Sequence, residues 1–113
     1  MGVHADDLEF VAPPPSETEL LAHLRDQIGD DTGIEHYGVS GQRVELRCLF
    51  DPLTRPYALA YLALRGGVLV DWQRRRPLPL ALPWYVDRPW RDHPWWRRAW
   101  IRLRYLVSGP AGR

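Results

Sequence analysis

The sequence predicts an α+β domain: an N-terminal capped helix packed on an antiparallel sheet of three to four strands, then a proline-rich crossing segment and a basic amphipathic C-terminal helix. Three observations predict it. Ser16-Glu17-Thr18-Glu19 has the spacing of a capping box, in which the Ser16 hydroxyl accepts from the Glu19 amide and the Glu19 carboxylate from that of Ser16. Val44, Leu46, Cys48 and Phe50 alternate with Arg43, Glu45 and Arg47, the period of a strand with one buried and one wet face. Beyond Trp72, prolines at 77, 79, 83, 89 and 94 forbid sustained helix until Pro94 itself opens one.

Taken in order, Leu8 to Ala12 reads as an edge strand or a packed arm, stopped by Pro13, Pro14 and Pro15. The helix begun at Ser16 carries Leu20, Leu21, Leu24 and Ile28 at helical spacing and is capped by Gly29, ahead of the turn-rich Asp30-Asp31-Thr32-Gly33. Ile34 to Gly38 is expected to pair with the alternating strand through the loop Val39-Ser40-Gly41, with Gly41 left-handed and Ile34 opposite Leu46. Tyr57 to Leu64 is apolar all round, which suits a central strand better than a helix covering one face of a sheet. Gly66-Gly67 then reads as a hairpin turn into Val68-Leu69-Val70, setting Tyr61 across from Trp72. If Pro56 to Arg65 is helical instead, the order becomes βαββαβ and resembles a ferredoxin-like arrangement with a C-terminal extension.

In the last segment Trp96, Ala99, Trp100, Leu103, Leu106 and Val107 share one helical face, with Arg97, Arg98, Arg102 and Arg104 largely elsewhere. Ser108-Gly109-Pro110 supplies the stop, and the alternation of Ile101, Leu103, Tyr105 and Val107 leaves a strand as the alternative. Residues 1–73 are thus expected to form a small α+β core. Residues 74–113 form a Pro/Trp/Arg-rich extension of the same domain, since 113 residues suffice for one core and not for two.

Charge divides the chain at the same place. Residues 1–71 hold 5 Arg against 12 Asp and Glu, a net −7, whereas residues 72–113 hold 10 Arg against Asp87 and Asp92, a net +8. Either the two halves neutralise each other within the fold, or the basic half meets an acidic partner, a phosphate or a lipid headgroup. All 15 basic residues are arginine, which excludes a phosphate-loop lysine and a Schiff base. The single cysteine, Cys48, can form neither an internal disulfide nor a four-ligand zinc site, and the acidic start Met1 to Asp7 does not read as a signal peptide. Arg65 and Asp71 interrupt the longest apolar run. A cytoplasmic location is therefore expected, with a peripheral place at a membrane as the variant.

Catalytic patterns are sparse. Gly38-Val39-Ser40-Gly41-Gln42 lacks the last glycine of a nucleophile elbow and sits between strands. Cys48 falls on the buried face of its strand, where an inert core thiol is the ordinary outcome. Histidines 4, 23, 36 and 93 show no His-x-x-x-His pairing, so neither a metal nor another cofactor is expected. The enzyme alternative is a site assembled from Asp87, Asp92 and His93.

The feature left over is a cluster of Trp and Arg, the types that dominate binding hot spots because both combine a large stackable surface with a polar handle. The candidate partner-binding residues are Trp84, Arg88, Trp90, Arg91, Trp95, Trp96, Arg97, Arg98, Trp100, Arg102 and Arg104. The leading expectation is a non-catalytic accessory or adaptor protein that binds a larger protein assembly through this segment. Docking at a membrane surface and binding of single-stranded nucleic acid are the alternatives, the latter weakened by the acidic first half. Core packing is the competing fate of the same tryptophans.

Overall fold

The computed structural model describes residues 2–108, in which three helices and a five-stranded antiparallel sheet make an α+β fold. The strands are β1 (Val3–Glu9), β2 (Ile34–Ser40), β3 (Arg43–Leu49), β4 (Val68–Asp71) and the two-residue β5 (Arg76–Pro77); the helices are α1 (Glu17–Ile28), α2 (Thr54–Leu64) and α3 (Trp95–Ser108). The sheet order is β2-β3-β1-β4-β5. No helix among the described residues is long and apolar enough to cross a membrane.

Helix α1 forms as its sequence predicts. The Ser16 hydroxyl accepts from the Glu19 amide at 3.1 Å and the Ser16 amide donates to the Glu19 carboxylate at 2.9 Å, while Gly29 ends the helix in the left-handed region at φ 73°. Leu20 and Leu24 are fully buried. In β3, Val44, Leu46 and Cys48 point into the core and Arg43, Glu45 and Arg47 into solvent.

Four expectations are corrected. The N-terminal strand is neither an arm nor an edge: β1 pairs with β3 on one side and β4 on the other, beginning at Val3 because polar Asp6 and Asp7 are accommodated within it. Asp6 lies on the inner side, opposite Leu46, where Arg55 of α2 donates to both its oxygens at 2.7 and 2.8 Å. A buried carboxylate so paired is tolerated where an unpaired one would not be.

The β2-β3 turn is shorter than predicted, with Ser40 pairing with Arg43 and Gly41 at φ 64° leading the two-residue link. Ile34 consequently lies opposite Cys48 rather than Leu46, and an irregularity between Ile34 and His36 brings Tyr37 opposite Leu46. The third and fourth corrections concern residues 54–64, which are helix and not strand. Gly66-Gly67 links α2 to β4, and Tyr61 stacks on His23 of α1 at 4.3 Å instead of facing Trp72.

A helix apolar all round is physically consistent once its neighbours are counted. Ala58, Leu59 and Leu62 join the core, Tyr61 faces α1, and the Tyr57 hydroxyl lies 3.0 Å from the Tyr85 carbonyl and 2.8 Å from that of Arg88. Neighbours on three sides leave little room for a polar face. The Asp51 carboxylate starts α2 by accepting from the Leu53 and Thr54 amides at 2.8 and 2.7 Å. With α2 in place, β1 to β4 have the βαββαβ order and β2-β3-β1-β4 arrangement of the ferredoxin-like alternative.

Candidate functional site

From Arg76 onward the chain crosses the domain in three steps. Arg76-Pro77 adds β5 to the edge of β4; residues 78–83 follow with Leu78, Leu80 and Leu82 over a third exposed; two 3-10 turns, Trp84–Asp87 and Trp90–Asp92, then lead into Pro94. The turns are the anchored part. Tyr85 is buried and donates from its hydroxyl to the Pro52 carbonyl at 2.6 Å, and Trp90 packs edge-on to Tyr85 at 6.0 Å. Burial pushes the Tyr85 phenol up to about 12, so it is a structural donor.

His93 lies within the same aromatic group, 2% exposed, with Trp84 and Trp90 rings within 6 Å and its Nε2 2.8 Å from the Tyr85 carbonyl. A carbonyl only accepts, so Nε2 carries the proton, and Nδ1 has no partner among the described residues. Pro94, lacking an amide proton, stands where a helix leaves its first donors unbonded, and its carbonyl accepts from the Arg97 and Arg98 amides at 3.0 Å.

Helix α3 then rests on the domain by a narrow edge. Ile101 is 6% exposed and Tyr105 is half-buried beside a small cleft of about 140 Å³ lined in part by Pro52, Arg55 and Pro56. The opposite side is open: Trp95 is 73% exposed, and Trp96, Trp100 and Leu103 are each more than half exposed. Trp100, Leu103, Arg104 and Val107 border a shallow groove of about 270 Å³.

The predicted partner-binding residues therefore divide. Trp90 is buried with Arg102 over its ring at 5.5 Å, Arg91 donates to the Asp26 carbonyl at the end of α1, and exposed Arg88 lies 3.5 Å from the Asp87 carboxylate. Arg97 sits 5.3 Å from both the Trp84 and Trp96 rings and Arg104 lies 5.8 Å over Trp100, so these arginines order the indoles beside them. Trp95, Trp96, Trp100 and the exposed Arg102 and Arg104 form one outward surface, with half-buried Arg98 at its margin.

Two residues that hold the helix figure in the sequence only as part of the strand alternative, which the helix Trp95–Ser108 overturns. Ile101 and Tyr105 are four apart on the strip between the arginines, a spacing that places a second, narrower apolar line along the helix.

The enzyme alternative meets different geometry. Asp87 and Asp92 are exposed, whereas His93 is sealed and hydrogen-bonds to Tyr85, not to either acid. The Cys48 thiol is pushed up to about 12 by burial. No group of three or more metal-ligating side chains occurs among the described residues. A cleft of about 520 Å³ beside β4 and β5 holds Arg43, stacked on Trp72 at 4.2 Å, together with Arg75 and Arg76, but Glu9 and Asp71 line it too and offset that charge. No family model, curated protein or solved structure matches the chain.

Proposed function

We propose that the protein is a non-catalytic accessory protein, held to a larger assembly by the outward face of α3. The observation that carries the reading is the exposure of Trp95, Trp96, Trp100, Leu103, Leu106 and Val107 on one helix, each between 54% and 81% in solvent. Leu106 and Val107, 77% and 81% exposed, forgo most of the about 1.5–3 kcal/mol that full burial of such a side chain contributes, and contiguous apolar patches of this kind on monomers commonly mark interaction sites. Core packing claims Tyr85, Trp90 and Ile101 and leaves these residues free.

Sedimentation of a tagged full-length chain from a lysate of its native cell tests the proposal. The wild-type chain should travel with large material, and the double variant Trp100→Asp, Leu103→Asp should return to the size of a monomer while keeping its melting temperature. A wild-type chain that travels as a free monomer would defeat it.

A further inference from the structure

We infer that the surface engaged by α3 is an anionic lipid bilayer, with the helix lying flat at headgroup depth; this rests on the docking role proposed above and names its partner. At 100° per residue, Trp95, Leu106, Ala99, Leu103, Trp96, Val107 and Trp100 succeed one another around a continuous arc of about 140°. No charged residue falls inside it. Arg104 and Arg97 follow on one flank, and Arg102 and Arg98 precede it on the other. The arc thus has an arginine border along both sides.

The side that holds α3 to the domain lies diametrically across the helix. Ile101 and Tyr105 centre about 190° from the middle of the arc on the same wheel, so the domain stands behind the helix. A flat surface can therefore reach the whole length of α3, about 21 Å for its 14 residues.

Charge selects the occupant. Residues 93–113 contain no Asp or Glu, and α3 carries four arginines. Indoles prefer the boundary between acyl chains and headgroups, and arginine stems can lie along apolar surface while the guanidinium reaches lipid phosphate. A second copy of the chain, face to face through α3, would bring two such arginine borders together with no carboxylate between them. Single-stranded nucleic acid stacks its bases on open ring faces, whereas Arg97 and Arg104 already cover one face of Trp84, Trp96 and Trp100.

Vesicle titration of the purified full chain decides the matter, with phosphatidylcholine alone compared against phosphatidylcholine mixed with phosphatidylglycerol. Tryptophan emission is the readout, because four of the six indoles, Trp84, Trp95, Trp96 and Trp100, are more than half exposed. The expected result is a blue shift on the mixed vesicles only, reversed by salt. Arg102→Gln with Arg104→Gln should weaken that binding about 30-fold, since each arginine near an anionic surface contributes about a fivefold factor. Trp100→Ala with Leu103→Ala should weaken it as well, with an unchanged melting temperature for this pair and a small drop for the arginine pair, in which Arg102 leaves the buried Trp90 ring.

No shift on mixed vesicles, for a chain that still travels with large material in the lysate, would overturn the lipid assignment and leave a protein groove as the partner. A shift of equal size on both vesicle types would overturn the charge selection. Quenching by a single-stranded oligonucleotide, without a vesicle response, would transfer the surface to nucleic acid.

Discussion

In α1, Leu20 and Leu24 are wholly buried beneath the sheet, whereas in α3 Trp96, Trp100, Leu103 and Val107, at comparable helical spacing, keep between 54% and 81% of their surface in solvent. Both helices are amphipathic, and periodicity alone describes them equally well. What separates them is the opposite side. Across the helix from the α1 stripe stand exposed Thr18, Glu19 and Ala22, which offer the core nothing. Behind the α3 arc stand Ile101 and Tyr105, a second apolar line just wide enough to rest on residues near Pro52 and Pro56. Amphipathicity thus announces a face to be covered, while the residues across the helix decide which face the protein covers by itself.

The largest test of that contrast is a pair of identical truncations. Leu24→Ala should cost about 3–5 kcal/mol in urea unfolding, the sum of lost transfer energy and a cavity that cannot collapse. Leu103→Ala should stay within about 0.5 kcal/mol, as for a surface position. A comparable loss at both would mean that the α3 arc is packed within the monomer, and the contrast would dissolve.

The difference also explains how much could be read in the chain. Residues 16–29 and 43–49 were legible because their signals are local: a capping box, a left-handed glycine and strict alternation depend on near neighbours. Residues 57–64 were not, because their all-round apolar pattern reflects three packing partners, α1, the sheet and residues 85–88, that lie far away in sequence. The β1 position was hidden likewise. Asp6 breaks a hydrophobic pattern, and only its pairing with Arg55, 49 residues on, makes it an inner-face residue.

At the candidate surface, composition marked the segment without sorting it. Trp90 and Trp100 are the same residue type ten positions apart, yet one is 7% and the other 54% exposed. The sorting comes from the two 3-10 turns, which direct Tyr85, Trp90 and His93 to the core before Pro94 starts α3.

A smaller effect sharpens how the two regions are joined. The Tyr57 hydroxyl on α2 reaches the carbonyls of Tyr85 and Arg88, donating its single proton to one at a time. Tyr57→Phe keeps the ring and removes that link, at a cost of about 1–2 kcal/mol for carbonyls left without the donor. Amide exchange should then quicken in residues 84–108 more than in α1 or β3. Uniform quickening would show the extension and the core opening as one cooperative unit.

The smallest effect expected is a pH dependence that originates at two half-buried histidines of β1 and α1. Burial holds His4 below its usual value of 6.5, with the Arg55 charge acting in the same sense and Asp6 and Asp51 opposing it. Burial does the same to His23, stacked on Tyr61, against the pull of Asp26. The folded chain therefore binds these protons less readily than the unfolded one. Their contribution is intact above pH 6.5 and is lost as pH falls through it, because the unfolded state takes up protons first. Both rings keep some contact with solvent, so the loss is modest. Between about pH 7.5 and 5.5, above the carboxylate range, the melting temperature should fall less in the double variant His4→Gln, His23→Gln than in the wild type. The Trp100→Ala, Leu103→Ala variant should retain the full wild-type slope, since it changes only the solvent-facing arc. An unaltered slope in the histidine variant would place the acid sensitivity outside β1 and α1, and with it the part of the molecule that first loosens as pH falls.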